Sequence, residues 1–159
     1  MDRLHLRLFW EGTWDLSSRL VAESVPSTPG IYTVFAPKKP GLIAHDHPDA
    51  YELLYIGESE NIRHALIKSK KWNIWERKSA TGQLLLRITK TDHVLCRRTI
   101  AAVLAFQNKP VCNSRFVNIS LFRYVHVTVS NFGAYMPLMN DAEQHYQHQQ
   151  PPSEFQAMA

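Results

Sequence analysis

The sequence is poor in cysteine. It has two, Cys96 and Cys112, and no Cys-x-x-Cys pair. They cannot build a disulfide framework, and reduced thiols in a cytoplasmic chain are the expectation. No apolar run approaches the roughly 20 residues that a membrane helix needs, so no membrane association is expected. The opening residues, Met1-Asp2-Arg3-Leu4-His5, lack a basic stretch followed by an apolar one, and no secretory signal is expected. A glycine-rich phosphate loop of the P-loop or dinucleotide type is missing, which removes the common nucleotide-binding signatures. There is no internal repeat.

What is present is ordinary for a globular chain. Its 159 residues allow one domain with short extensions. Hydrophobic residues at 45% and aromatics at 11% are enough to bury a core. The net charge of +4 and pI near 9.2 are compatible with a polyanionic partner but too mild to establish one.

Residues 1–29 read as a leader, with a short edge strand around Leu4, Leu6 and Leu8 and with Trp10 and Trp14 able to pack on a core. Gly30 to Ala36 (GIYTVFA) is apolar on both faces and predicts a central strand covered on both sides. A second strand is expected at Tyr51 to Gly57 (YELLYIG). Ser59 is a plausible N-cap, with Glu58 and Glu60 placed where a helix dipole favours them. The stripe Ile62, Leu66 and Ile67 predicts a helix to about Ser69. Leu84 to Ile88 predicts a third strand. A second helix is expected from about His93 to Gln107, capped by Thr91-Asp92, with Cys96, Ile100, Val103 and Leu104 on one face. Phe116 to Val129 predicts one or two more strands. The polar segment 138–159 cannot bury enough surface to order itself and is expected to be mobile.

Two tripeptides stand out, Gly30-Ile31-Tyr32 and Tyr55-Ile56-Gly57. Antiparallel pairing of their strands would bring two phenols together on a sheet. Glu58-Ser59-Glu60-Asn61-Ile62-Arg63 follows the second. Arg97-Arg98-Thr99-Ile100 and Pro110-Val111-Cys112-Asn113 come later. In this order the blocks resemble the GIY-YIG nuclease family, its small bacterial members most of all, over Gly30 to Asn113. The resemblance implies an α/β (α+β) fold: a three-stranded, mostly antiparallel sheet flanked by helices as the core at 30–113, with extra strands at 114–137. It also implies a DNA endonuclease that hydrolyses phosphodiesters with one divalent cation, usually Mg2+. By resemblance, Tyr55 would deprotonate or position the attacking water, Tyr32 would support it, and Asn113 would belong to the supporting shell. A helix arginine would steady phosphate charge and a glutamate would bind the metal.

The chain departs from that pattern at both charged positions. The family's arginine lies eight residues after the second glycine, which here is Ala65. The family's glutamate lies nine residues before the proline, which here is Ala101. The chain is therefore expected to be inactive, since losing one preorganised charge stabiliser costs roughly 100- to 1,000-fold. Alanine at both positions fits an engineered inactive nuclease. The alternative is a natural pseudo-nuclease that binds DNA or protein. Arg63 points about 200° from position 65 and is a poor substitute. His64 and Glu76 are weak candidates for rescue.

The basic-aromatic run 68–78 (KSKKWNIWERK) is the best candidate for contacting DNA, expected to be duplex. It offers Lys68, Lys70, Lys71, Arg77 and Lys78, with Arg63, His64, Arg97 and Arg98 as further candidates. Trp72 and Trp75 are read as core anchors rather than base-stacking groups. His45, Asp46, His47 and Asp49 read as a polar loop, and His145 and His148 as tail residues, not as metal ligands. Cys96 and Cys112 read as small buried residues. No motif sets the oligomeric state.

Overall fold

A computed structural model describes residues 2–16, 18–40, 48–113, 125–132 and 143–144. The strands are β1 (Asp2–Phe9), β2 (Glu11–Asp15), β3 (Gly30–Pro37), β4 (Tyr51–Ser59), β5 (Leu85–Lys90), β6 (Val125–Phe132) and β7 (Glu143–Gln144). The α-helices are α1 (Ile62–Ile67), α2 (Trp72–Lys78) and α3 (Val94–Asn108). The mixed α+β class agrees with the sequence reading, but the main sheet has four strands, not three. Its order is β2-β5-β3-β4, antiparallel throughout. The added strand is β2, from the segment read as a leader. Its residues are mostly exposed, and Gly12 at φ 69° interrupts its pairing with β5, so no alternation marks it in the sequence. The leucine-rich strand β1 lies outside this sheet and pairs in parallel with β6.

β3 is buried along its whole length, as expected of a strand with no polar face. Successive residues of a strand alternate between faces, and β3 divides its side chains accordingly. Ile31 and Phe35 enter one apolar cluster with Leu53, Ile56, Trp10 and the α3 residues Ile100, Ala101, Ala102, Val103 and Leu104. Tyr32, Val34 and Ala36 enter the other, with Leu54, Leu86, Ile88, Ile62 and Leu66 of α1, and Trp72 and Trp75 of α2. The two tryptophans are fully buried, as core anchors should be.

Several local expectations need correction. β4 runs on through Ser59, so the helix cap falls to Asn61, whose Oδ1 accepts from the His64 amide at 3.0 Å. Ser59 instead holds the Asn61 amide at 3.0 Å. Ile67 ends α1 exposed, because a helix this short buries only Ile62 and Leu66. α3 begins without a side-chain cap from Thr91 or Asp92. Cys96 is exposed and Cys112 only half-buried, contrary to the reading of both as buried. The reason is that α3 buries its alanines, Ala101, Ala102 and Ala105, which let the helix approach the sheet closely. The expected strand start at Phe116 and the tail histidines lie outside the described residues, as does most of the His45 loop. Among the described residues no helix is long and apolar enough to cross a membrane.

Gly30 opens β3 beneath two neighbours. A Cβ there would sit 2.3 Å from the Thr89 carbonyl oxygen, and that oxygen belongs to the β5 backbone and cannot step aside. Gly30→Ala should lower the unfolding free energy by about 2 kcal/mol, read by urea denaturation.

Candidate functional site

Cross-strand register brings the two tripeptides together. Tyr32 stands opposite Gly57, and Val34 opposite Tyr55. Cross-strand partners share a face, so Tyr55 is the diagonal neighbour of Tyr32. Strict alternation from Leu53 would not give this arrangement. A register shift in β4 between its pairings with Val34 and Phe35 leaves Leu54 as an extra residue. That bulge puts Leu54 and Tyr55 on the same side, facing the cluster that holds Tyr32, and sends Ile56 to the other. The two phenol rings end 6.0 Å apart, tilted by 43°.

The glycine of the second tripeptide serves the tyrosine of the first. A Cβ at Gly57 would meet Tyr32 Cζ at 2.4 Å and its hydroxyl at 2.6 Å. Glycine is therefore required opposite Tyr32 for close approach, not for backbone conformation. Tyr32 is buried beside Tyr55. Burial, then the neighbouring Tyr55 and Glu58, push its ionisation well above the ordinary phenol range. Tyr32 thus keeps its proton.

Tyr55 is half-buried and belongs to an aromatic row. Trp75 lies 5.3 Å from it, Trp72 lies 5.9 Å from Trp75, and the Arg19 guanidinium caps Trp72 at 5.7 Å. Lys71 reaches the other side of Tyr55, with Nζ 3.3 Å from the hydroxyl and 4.3 Å from the ring centre. Ala65 and Cys112 pack on the same cluster as half-buried neighbours. Burial raises the Cys112 thiol above its ordinary range, against the pull of Lys78 and Lys71. Asn113 closes the β4 edge. Its Oδ1 accepts from the Ile56 amide at 2.9 Å and its Nδ2 donates to the Ile56 carbonyl at 2.9 Å. The Cys112 amide extends this pairing to the Leu54 carbonyl at 2.7 Å. Val111–Asn113 therefore occupy the β4 edge as a short strand would, and brace the bulge at Leu54.

The sequence-derived positions separate into groups. Tyr32, Tyr55, Gly57, Ala65 and Lys71 gather on one face. Ala101 lies in the cluster on the opposite face, 8% exposed among Ile31, Phe35 and Leu104. Arg97 is neither a free DNA contact nor a solvated helix residue. It is 2% exposed, its Nε 3.2 Å from Glu58 and its Nη1 donating to the Asp92 carbonyl at 2.7 Å. Arg98, which is exposed, reaches the other Glu58 oxygen at 3.5 Å. Arg63 is held by the Val25 carbonyl at 2.6 Å, and Glu76 accepts from the Trp72 indole at 3.1 Å, so neither faces the phenols as a stand-in. His64, Lys68, Lys70, Arg77 and Lys78 are exposed.

Glu58 is the functional residue that sequence reasoning missed. Read as a helix-dipole partner, it is a strand residue that joins β4 to α3 and acts on Tyr32. Its signal was the pairing of an acid beside one motif with Arg97-Arg98 beside another. The donor set does not fit a divalent cation. The carboxylate that acts on Tyr32 is already bound by two arginines, and the family's ligand position holds Ala101. Among the described residues no three His, Cys, Asp or Glu side chains group to hold a metal ion. No protein-family model, no curated protein and no solved structure matches this chain.

Two measurements check this geometry. Glu58→Gln strands a buried guanidinium and should cost on the order of 3 kcal/mol in chemical denaturation. Because Tyr32 resists ionisation only when folded, its contribution to stability is complete below about pH 10 and falls as pH rises beyond it. Tyr32→Phe should flatten that alkaline decline, as seen in thermal unfolding across an alkaline pH series.

Proposed function

We propose that this chain is a GIY-YIG-like module that binds duplex DNA without hydrolysing it. The observation that carries the reading is the paired phenols on a glycine-backed strand, beside Lys71, with alanine at both charged positions of the family pattern. Hydrolysis of a phosphodiester needs fixed positive charge at the phosphate and, in this family, a metal held by a carboxylate. Ala65 and Ala101 supply neither, and no step through a metal is drawn.

The environment of Ala101 favours a native alanine. A glutamate there would put a carboxylate among apolar side chains with little access to water. Such a group is costly unless paired. Exposed Lys68, Lys70, Arg77 and Lys78, together with Lys71, form the face offered to the phosphate backbone. Arg97 is excluded from it by Glu58.

A second reading rests on a different observation, the undisturbed pairing of Tyr32, Tyr55, Gly57 and Asn113. It is an endonuclease inactivated by replacing its arginine and glutamate with Ala65 and Ala101.

One experiment separates the two. The chain should bind a mixed-sequence duplex with log Kd rising against log salt at a slope of roughly 4, from about one released counterion per contacting cation. Ala101→Glu should lower the unfolding free energy by about 2 kcal/mol, and Ala65→Arg/Ala101→Glu with Mg2+ should leave the duplex uncut. Efficient cutting by the double variant, at undiminished stability, overturns the proposal in favour of the inactivated endonuclease. Duplex affinity that does not change with salt removes DNA as the partner.

A further inference from the structure

We infer that Lys71 and Tyr55 form a two-point binding site for a phosphate group, with Lys71 supplying from the start of α2 the positive charge that α1 lacks at Ala65. The identity of the polymer carrying that phosphate rests on the functional reading above. The phosphate contact itself does not.

Lys71 is held in place before any ligand arrives. Its amide donates to Ser69 Oγ at 3.2 Å, and its carbonyl accepts from the Ile74 and Trp75 amides at 2.9 and 3.0 Å. With both backbone groups engaged, the side chain leaves from a fixed point. The ammonium then lies over the Tyr55 ring at 4.3 Å and 3.3 Å from its hydroxyl. A cation over an aromatic face is attracted by the ring quadrupole. That attraction keeps the ammonium close to the phenol, and among the described residues no carboxylate pairs with it.

Hydrogen-bond accounting points outward. An ammonium has three donors, and one is directed to Tyr55. The Tyr55 oxygen accepts from Lys71, an ammonium that cannot accept in return. Tyr55 therefore directs its own proton away from Lys71. A lysine donor and a phenol donor converge where Tyr55 is half-open to solvent and where Ala65, also half-buried, carries only a methyl group. Two donors, one of them charged, beside a small residue make a cradle for a phosphate oxygen. Lys78 adds positive charge on this side, since it and Lys71 both act on Cys112.

The test uses the full chain with two probes, inorganic phosphate and a short duplex, and three variants. Lys71→Met removes the charge but keeps an apolar stem over the ring. Tyr55→Phe keeps the ring and removes the hydroxyl. Lys71→Arg retains the charge. Inorganic phosphate, at ionic strength matched with chloride, should shift the amide resonances of Tyr55 and Lys71. Lys71→Met should abolish those shifts, Tyr55→Phe should weaken phosphate binding about tenfold, and Lys71→Arg should restore it. On the duplex, Lys71→Met should reduce the salt slope by about 0.9, a change that a purely structural clip over Tyr55 would not produce. Phosphate shifts at Tyr55 and Lys71 without salt-dependent duplex binding uphold this site and remove the DNA reading. Salt-dependent duplex binding with the same slope and the same phosphate shifts in Lys71→Met upholds the DNA reading and overturns the site.

Discussion

The contact on which this structure turns is the Tyr32 phenol lying against the bare Cα of Gly57. It requires the two strands to stand in one register, because a slip of a single residue would set a side chain against the ring. It also fixes where the second phenol goes. With Gly57 opposite Tyr32, alternation along β4 sets Tyr55 on the same face, and the bulge at Leu54 adds Leu54 beside it. The Asn113 amide holds that bulge from outside by pairing both backbone groups of Ile56. A glycine, an extra residue and a side-chain amide, distant in sequence, thus act as one unit that places two hydroxyls side by side.

Electrostatics sort the charged residues around that unit into two sets. Glu58 lies on the α3 side and is occupied by Arg97 and Arg98. A buried guanidinium without its carboxylate is far more costly than the pair is stabilising, so this ion pair acts as a fastener between β4 and α3. On the other side Lys71 has a phenol, and among the described residues no carboxylate, as its partner. The site is therefore cationic and hydrogen-bond donating where the phenols reach solvent.

Parts of this arrangement were legible in the sequence because they depend on local pattern. GIYTVFA has no polar face and could only be a central strand. Trp72 and Trp75 read as core anchors and both are buried, although the pattern does not predict the short helix α2 that carries them. The period in α3 was readable too, though its buried face is built from alanines rather than Cys96. Other parts were hidden. Glu11–Asp15 carries no alternation, since most of it faces water, and its place as the fourth strand is set by pairing with β5. The burial of Arg97 depends on an acid 39 residues away, and nothing adjacent to it in the chain announces that partner.

Local pattern in the sequence placed the strands β3, β4 and β5 and the helices α1 and α3, and brought two tyrosine-bearing strands together. Hydrophobic periodicity and residue identity suffice for those, since each is a property of a few consecutive residues. Only the tertiary structure decided which side chains share a face. The register set Tyr55 on the side of Tyr32, the sheet separated Ala101 from both, Glu58 withdrew Arg97, and the turn before α2 delivered Lys71 to the phenol. These outcomes follow from register and from contacts between residues far apart in the chain, where a displacement of one residue reverses the direction in which a side chain points.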